Sequence, residues 1–277
     1  MIKKILVPQD GSVYGKSALD WSLWLAKKFG ADLVGLHVVD LVALEGPFLH
    51  DISGSLGFEP FLNFSAKMRE VLEDKGKSIL RTFEEACEKA GVNKETQMSV
   101  GIVPGEICEK AKVADLVVMG RRGINARFEY ELQGSTTEAV LRKSPKPVLV
   151  VPEGFSEPKS LLLAYDGSPN ASRAMHSAAE WSKTLGLPLT VLTVSVSEGD
   201  TTLLKDAEDY LKPYGIKAKF AALAGDPPTS IERYYRENKH DLMFMGTSHH
   251  SRIFEMVLGS TTEFVMRSVG GPFFLER

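Results

Sequence analysis

Glycine, hydroxyl and arginine residues in two neighbouring segments of the chain have the chemistry of a phosphate site. Gly120 and Gly123 bracket the first segment, and Gly134 opens the second at the predicted start of a helix. Glycine lets backbone N–H groups approach a phosphate without a Cβ in the way, and a helix N-terminus adds unsatisfied donors with a partial positive charge. The side chains that could donate hydrogen bonds or neutralise charge there are Arg121, Arg122, Arg127, Ser135 and Thr136.

Asp10 is the candidate acceptor for a base or sugar on the other side of the same cleft. It follows a short apolar run at 2–7 that is typical of a buried strand. Val38 and Met119 lie near the ends of two further predicted strands. Ligands of open α/β sheets bind outside the carboxyl ends of the strands, where these segments converge. Each signal has a structural alternative (a turn at Asp10, a cap at Gly134, solvated arginines), but their convergence favours a nucleotide or phosphate site.

The segments that position these residues alternate between strand and helix patterns. The turn 10–12 supplies an N-cap for a helix that Gly30 ends, and an amphipathic helix over 66–90 stops at Gly91. The other elements of this half are helices at 104–113 and 134–143 and strands at 2–7, 32–39, 95–101, 115–120 and 147–151. This alternation predicts a parallel, doubly wound sheet with helices on both faces.

The second half of the chain repeats the first, which indicates a duplicated domain. The first copy carries an insert at about 41–65, and a linker near 153–158 separates the copies. The fold class is therefore α/β, with two tandem, doubly wound, parallel five-stranded sheets in domains 1–153 and 159–277. Three blocks recur in order: 5–12 as 161–168, 115–120 as 241–246, and 134–138 as 259–263. The strands of the second copy are predicted at 160–164, 188–194, 217–223, 241–246 and 272–275.

Both copies resemble universal stress protein (UspA-type) domains, and the whole chain is similar to the tandem form of that family. The segments 7–12 and 36–39 resemble its opening strands, and 117–120 with the glycines that follow resembles its ATP pattern Gly-x2-Gly-x9-Gly-Ser/Thr. The resemblance implies a Rossmann-like, adenine nucleotide alpha hydrolase-like fold. It also implies bound ATP, with Mg²⁺ or Mn²⁺ on the phosphates as an option, and a role in stress survival or signalling. By position it assigns ATP contacts to Pro8, Gln9, Asp10, Val38, Met119, Gly120, Arg121, Gly123, Gly134, Ser135, Thr136 and Thr137, and weaker contacts in the second copy to Asp166, Val194, Gly246, Gly259, Ser260 and Thr261.

Both copies depart from that pattern. The first has ten residues, 124–133, between its second and third glycines, and an extra loop residue can bulge outward. In the second copy His249 replaces a glycine and Ala164 replaces the proline at the strand end. We interpret His249 as a blocking or phosphate-facing residue, not as a metal ligand with His250. The sequence thus predicts ATP mainly in the first copy, and no protein-made metal site.

Two other functions compete with ATP binding. In one, the copies form a nucleotide-independent interaction module, an intramolecular pseudo-dimer through the strands 147–151 and 272–275, whose apolar insert recruits a partner. Alternative roles of the insert are to cover the cleft, to bind a hydrophobic ligand, or simply to pack on its own domain. A homodimer of chains is a further option. In the other, the protein is an ATP-cleaving enzyme, but the sequence shows no Walker lysine motif, convincing carboxylate pair or nucleophile with a base. We therefore expect no dedicated catalysis, although slow hydrolysis from phosphate positioning is an alternative.

Charge, hydropathy and cysteine spacing exclude further classes of protein. The net charge of −3 gives no basic face for nucleic acid. No signal-peptide pattern and no apolar stretch of about 18 residues is present, so we expect a cytoplasmic protein without a membrane partner. Cys87 and Cys108 lack metal-ligand spacing and are predicted to be buried or idle thiols.

Overall fold

A computed structural model describes residues 1–40, 61–124, 134–195, 201–247 and 259–277. Strands and helices alternate throughout these residues, ten strands with eight helices. None of these helices combines the length and apolar character needed to cross a bilayer. The predictions for Arg127, His249, His250 and residues 41–60 of the insert lie outside the described residues.

The two copies have the same order of elements. The first consists of β1 (Lys4–Pro8), α1 (Val13–Phe29), β2 (Asp32–Asp40), α2 (Phe61–Ala90), β3 (Lys94–Gly101), α3 (Val103–Ala111), β4 (Leu116–Gly120), α4 (Ser135–Lys143) and β5 (Val148–Val151). The second consists of β6 (Leu161–Ala164), α5 (Pro169–Leu185), β7 (Leu189–Ser195), α6 (Thr202–Leu211), a 3-10 turn (Lys212–Tyr214), β8 (Lys219–Ala224), α7 (Pro227–Glu237), β9 (Leu242–Gly246), α8 (Ser260–Ser268) and β10 (Phe273–Glu276). The predicted strands are all present, each within two residues of its expected bounds.

Capping residues explain where the first helix of each copy begins and ends. The Ser12 hydroxyl accepts the Gly15 N–H at 3.0 Å, and Gly30 ends α1 in the left-handed conformation with φ of 62°. Ser168 and Gly186 do the same for α5. The sequence placed the boundaries of α1 correctly because its caps are local. It placed the start of α2 too late: the helix begins at Phe61, inside the predicted insert.

The two five-stranded sheets join edge to edge. Strand order is β3-β2-β1-β4-β5-β10-β9-β6-β7-β8, parallel within each copy. At the centre β5 and β10 pair antiparallel, with Leu149 opposite Phe274. This pairing satisfies backbone groups that an open edge strand would leave exposed. In the first copy the chain order reverses between β1 and β4, which makes that junction the expected ligand position.

Side chains from both copies pack on each other across this junction. On the face covered by α1 and α5, the rings of Phe29 and Trp181 lie 5.3 Å apart. On the opposite face, α4 and α8 form a network of four charged side chains related by the repeat. Arg142 lies 3.7 Å from Glu263, and Arg267 lies 3.9 Å from Glu138, in addition to the ion pairs within each helix. The repeat therefore forms an approximately symmetric interface within one chain.

Candidate functional site

A cavity of about 370 Å³ opens at the carboxyl ends of β1, β2 and β4. Its size is in the range of small-molecule sites, and it lies at the reversal of strand order. Eleven of the twelve residues predicted for the first copy line it: Pro8, Gln9, Asp10, Val38, Met119, Gly120, Gly123, Gly134, Ser135, Thr136 and Thr137.

Asp10 joins the turn after β1 to the glycine segment after β4. One carboxylate oxygen accepts the Ser12 N–H at 2.9 Å, and the other accepts the Ile124 N–H at 2.9 Å. The carboxylate thereby fixes the spacing of two loops that form the cavity wall. Each oxygen keeps a further lone pair, since a carboxylate offers about four acceptor positions. Asp10 can organise the site and still accept a hydrogen bond from a ligand.

Gln9 and His37 hold the neighbouring wall. The buried Gln9 side chain donates to the carbonyl oxygens of Pro8 and Gly15, both at 3.1 Å. The Gln9 carbonyl oxygen in turn lies 2.7 Å from Nδ1 of His37, so this nitrogen carries the proton and donates. These bonds secure the ends of β1 and β2 against each other, and the Gln9 side chain is committed to the protein backbone.

Gly120 and Gly123 are needed for different structural reasons. A Cβ on Gly120 would lie 2.6 Å from Cβ of Tyr14 and 2.8 Å from its carbonyl oxygen, so Gly120 is required for the contact of β4 with α1. A Cβ on Gly123 would meet Asp10 Oδ2 at 2.9 Å. The Thr137 hydroxyl donates to the Gly120 carbonyl oxygen at 2.9 Å and is buried. The prediction that Thr137 holds phosphate therefore applies at most to its backbone N–H.

The N-terminus of α4 faces the cavity without a side-chain cap. Gly134 is its N-cap residue, and its N–H donates to the Arg121 carbonyl oxygen at 2.9 Å. The first intrahelical bond is made by the Glu138 N–H to Gly134. The three residues between them, which line the cavity, supply the N–H groups that a helix leaves unsatisfied at its start. An anion at this end would gain these donors and the favourable helix dipole.

Arg121 is the residue whose predicted role the structure contradicts. Only 6% of it is exposed, and its Nη2 donates to the Gly271 carbonyl oxygen of the second copy at 2.7 Å. The guanidinium carbon lies 5.6 Å from the centroid of the Phe273 ring. Burial lowers the pKa of Arg121. Its side chain thus points across the junction between the copies and not toward the cavity; Arg122 lines the cavity instead.

The sequence reasoning missed several walls of the cavity. Val103 and Ile107 of α3 contribute one apolar wall, and Leu72 and Lys75 of α2 contribute another side. Val103 and Ile107 are four residues apart, on one face of their helix. A helical pattern could have shown that this face is apolar, but not that it covers the end of β2. Asp40, which ends β2, also lines the cavity.

The second copy repeats the packing of the first around the end of β9. A Cβ on Gly246 would overlap the backbone of α5, as at Gly120. The Thr262 hydroxyl donates to the Gly246 carbonyl oxygen at 3.4 Å, as Thr137 does to Gly120. One oxygen of Asp166 accepts the Ser168 N–H at 3.0 Å. These shared contacts show that part of the repeated motif serves packing.

The remaining residues predicted for the second copy occupy equivalent places. Val194 lies near the end of β7, and Gly259 precedes α8 without a side-chain cap. Ser260 and Thr261 form the first turn of α8. The helix after β7 differs: α6 begins at Thr202 and has 10 residues, whereas α2 has 30.

Comparison with known proteins agrees with this arrangement. The model of the universal stress protein family matches residues 1–152 and again residues 158–274. The chain belongs to the universal stress protein family. Universal stress protein Slr1230 of Synechocystis is 30% identical over 282 residues, which cover 98% of each chain. The crystal structure of a universal stress protein from Archaeoglobus fulgidus covers 99% of this chain and 98% of its own, with 26% identity and a TM-score of 0.79.

Single-copy relatives match as well. Universal stress protein MJ0531 of Methanocaldococcus jannaschii is 32% identical over 158 residues, covering 54% of this chain and 82% of its own. The two matches of the family model and the full-length similarity to Slr1230 together show that this is a tandem universal stress protein.

Proposed function

We propose that this universal stress protein binds ATP in the cavity of its first copy and acts as a nucleotide-responsive regulator of stress or signalling. The observation that carries the proposal is the uncapped N-terminus of α4, which faces a cavity at the reversal of strand order. This combination offers backbone donors to phosphates and a cavity with apolar walls for the nucleoside. Family membership supports the same assignment.

The walls divide into a phosphate end and a nucleoside end. The N–H groups of Ser135 and Thr136 provide the phosphate end. The apolar side chains of Val38, Val103 and Ile107 can pack against a base. A Mg²⁺ or Mn²⁺ ion would be held mainly by the phosphates, since the described residues contain no group of three or more histidine, cysteine and acidic side chains placed to hold a metal.

The proposal is for binding without dedicated turnover. Among the described residues of the cavity the carboxylates are Asp10 and Asp40. We assign Asp10 to holding the two loops, through the N–H groups of Ser12 and Ile124, and to accepting a hydrogen bond from the ligand, and not to activating a water molecule. Phosphate release measured alongside binding tests this part of the proposal: turnover well above the uncatalysed rate would contradict it.

ATP should bind more weakly to the second copy because, in the described part of the chain, α6 begins at Thr202 and does not extend as far as α2 does in the first copy. Ile79 of α2 lies against Gly11, where an added Cβ would be 3.1 Å from it. Leu203 of α6 lies against Gly167 in the same way, at 2.6 Å, so Leu203 is the equivalent of Ile79. The N-cap of α6 is Thr201, two residues before Leu203. The turns of α2 that carry Leu72 and Lys75 therefore have no counterpart in α6.

A pair of proline substitutions tests the phosphate end. Ser135→Pro removes the N–H of the first residue of α4, a position where proline fits a helix because that N–H has no intrahelical partner. Loss of one hydrogen bond to a charged group costs about 1.5–3 kcal/mol, so ATP affinity should fall roughly 10- to 100-fold. Ser260→Pro makes the same change in α8 and should leave the main site intact.

Calorimetric titration with ATP, with phosphate-free adenosine as a second ligand, measures both effects. We expect one dominant ATP site per chain, weakened by Ser135→Pro and unaffected by Ser260→Pro. Thermal unfolding without nucleotide should be similar for both variants and the parent protein, which separates lost binding from lost folding. Two equal ATP sites, or equal effects of the two substitutions, would contradict the assignment to the first copy.

A further inference from the structure

Arg121 connects the cavity of the first copy to the second copy through short contacts. Its carbonyl oxygen accepts the N–H of Gly134, the N-cap residue of α4, at 2.9 Å. Its own N–H donates to the Val151 carbonyl oxygen of β5 at 2.8 Å. Its side chain leaves this fixed point and donates to Gly271 at 2.7 Å. One residue therefore touches the phosphate-facing helix, the central strand pair and the turn between α8 and β10.

The guanidinium has little room for another position. It is almost fully buried, it lies over the Phe273 ring, and its Nε has no hydrogen-bond partner among the described residues. Gly271 is confined as well, because a Cβ there would overlap the hydroxyl of Tyr235. Small displacements of Arg121 should therefore move the turn.

The equivalent residue of the second copy makes a different contact. Thr247 follows Gly246 as Arg121 follows Gly120, and its N–H donates to the Glu276 carbonyl oxygen just as that of Arg121 donates to Val151. Its hydroxyl and carbonyl oxygens accept the amide of Asn170, within the same copy, at 2.8 and 2.6 Å. The backbone arrangement is thus repeated, whereas the long side chain that crosses from the glycine segment to the other copy belongs to Arg121.

We propose that Arg121 couples nucleotide occupancy of the first copy to the rigidity of the α8–β10 turn in the second. This inference rests on the proposed ATP site. Phosphates held at α4 would hold Gly134 in place. They would thereby restrain the backbone of Arg121, whose carbonyl oxygen accepts the Gly134 N–H. The buried side chain, which already bonds to Gly271, would transmit this restraint to the turn. A ligand changes a distant segment only through interactions that differ between the two states, and the Arg121–Gly271 bond is the interaction to which this proposal assigns that difference.

Amide hydrogen exchange with and without ATP tests the coupling on the full chain. Exchange in segment 134–138 reports ATP binding, and exchange in segment 270–274 reports the rigidity of the turn. In the parent protein ATP should slow exchange in both, the turn by about fivefold or more, the lower end of typical coupling between sites. In Arg121→Met, whose shorter apolar side chain fills part of the space but has no donors, ATP should protect 134–138 and change the turn by less than about twofold.

Matched variants complete the design. Arg267→Met removes another guanidinium at the interface of the copies, 3.9 Å from Glu138, and should leave the effect of ATP on the turn unchanged. Arg121→Lys keeps the buried charge but offers a shorter, single ammonium donor. It should at least halve the effect of ATP on the turn, and it replaces Arg121→Met if that variant does not fold.

The outcomes separate this proposal from the proposed function. Protection of 134–138 in every variant, with loss of turn protection only on changing Arg121, supports the coupling. If ATP protects 134–138 but never the turn, or protects the turn equally in the Arg121 variants, the coupling is wrong and the ATP site stands. If ATP protects neither segment in the parent protein, the proposed function fails and the coupling fails with it.

Discussion

Replacing Gly120 by alanine inserts a methyl group between β4 and α1. The added Cβ would lie 2.6 Å from Cβ of Tyr14 and 2.9 Å from its carbonyl carbon. Carbon atoms pack at about 3.5–4.0 Å, so the overlap is about 1 Å and part of it is with backbone that cannot rotate away. The backbone of Gly120 does not have positive φ, so the cost comes from crowding and not from conformational strain.

We expect Gly120→Ala to lose stability, and the same substitution at the neighbouring Gly123 to lose much less. Overpacking of this kind destabilises by about 1–3 kcal/mol, which corresponds to about 2–4 °C in Tm per kcal/mol for a domain of 150–250 residues. The matched variant is Gly123→Ala. Among the described residues its Cβ meets the Asp10 carboxylate oxygen at 2.9 Å, a side-chain atom that can move, so we expect a change below about 1 kcal/mol.

Urea unfolding followed by circular dichroism, without nucleotide, measures both variants. Gly120→Ala should shift the midpoint to lower urea, whereas Gly123→Ala should stay near the parent. In a titration with ATP, Gly123→Ala should instead weaken binding, because displacing the Asp10 carboxylate disturbs its bond to Ile124. If Gly120→Ala unfolds at the parent midpoint, the close approach of α1 and β4 does not need glycine. If Gly123→Ala loses as much stability as Gly120→Ala, the distinction between a packing glycine and a site glycine is wrong.

Two further predictions concern buried titratable groups. Burial raises the pKa of Glu276, so folding is more favourable when this carboxyl is protonated than when it is charged. This contribution to stability is complete below the pKa of an unfolded glutamate, about 4.3, and is lost as pH rises through the raised pKa of the folded state. Glu276→Gln should therefore be more stable than the parent at neutral pH and show a weaker decline in unfolding free energy with rising pH; an unchanged pH profile in urea unfolding would contradict this. Burial also raises the pKa of Cys87 to about 11, and Cys87 has no exposed surface, whereas Cys108 is partly exposed. A thiol reagent at neutral pH should label Cys108 first and reach Cys87 only on unfolding, as mass spectrometry of the labelled peptides will show; equal rates in the folded protein would refute the burial argument.

The sequence predicted the strands and the glycine segments well because their signals are local. Gly30 ends α1 through its own left-handed backbone, and Ser12 caps the same helix through a contact three residues away. Eleven predicted residues line the cavity because the carboxyl ends of parallel strands must meet at one sheet edge. Only the alternation of strands and helices was needed to bring Asp10 and Gly134 to that edge.

Features that depend on distant parts of the chain could not be predicted. The direction of Arg121 is set by Gly271, 150 residues later, and adjacent glycines give no sign of it. Lys75 reaches the cavity because α2 packs over β2, and a helical pattern does not specify the strand it covers. Thr137 has the residue type of a phosphate ligand, yet its hydroxyl bonds to the end of β4. In each case the residue type could be interpreted from the sequence, but the group that it contacts could not be predicted.

The pairing of β5 with β10 in one chain has a consequence for how the two halves can evolve. In a homodimer built on the same strand pair, symmetry would place every substitution at both equivalent positions. Here Val151 and Glu276 occupy matching places, each beside the last glycine of a neighbouring strand, yet one is an apolar residue and the other a buried acid. Covalent linkage keeps the two halves together at any protein concentration, so one half can lose or exchange a side chain without imposing that change on the other.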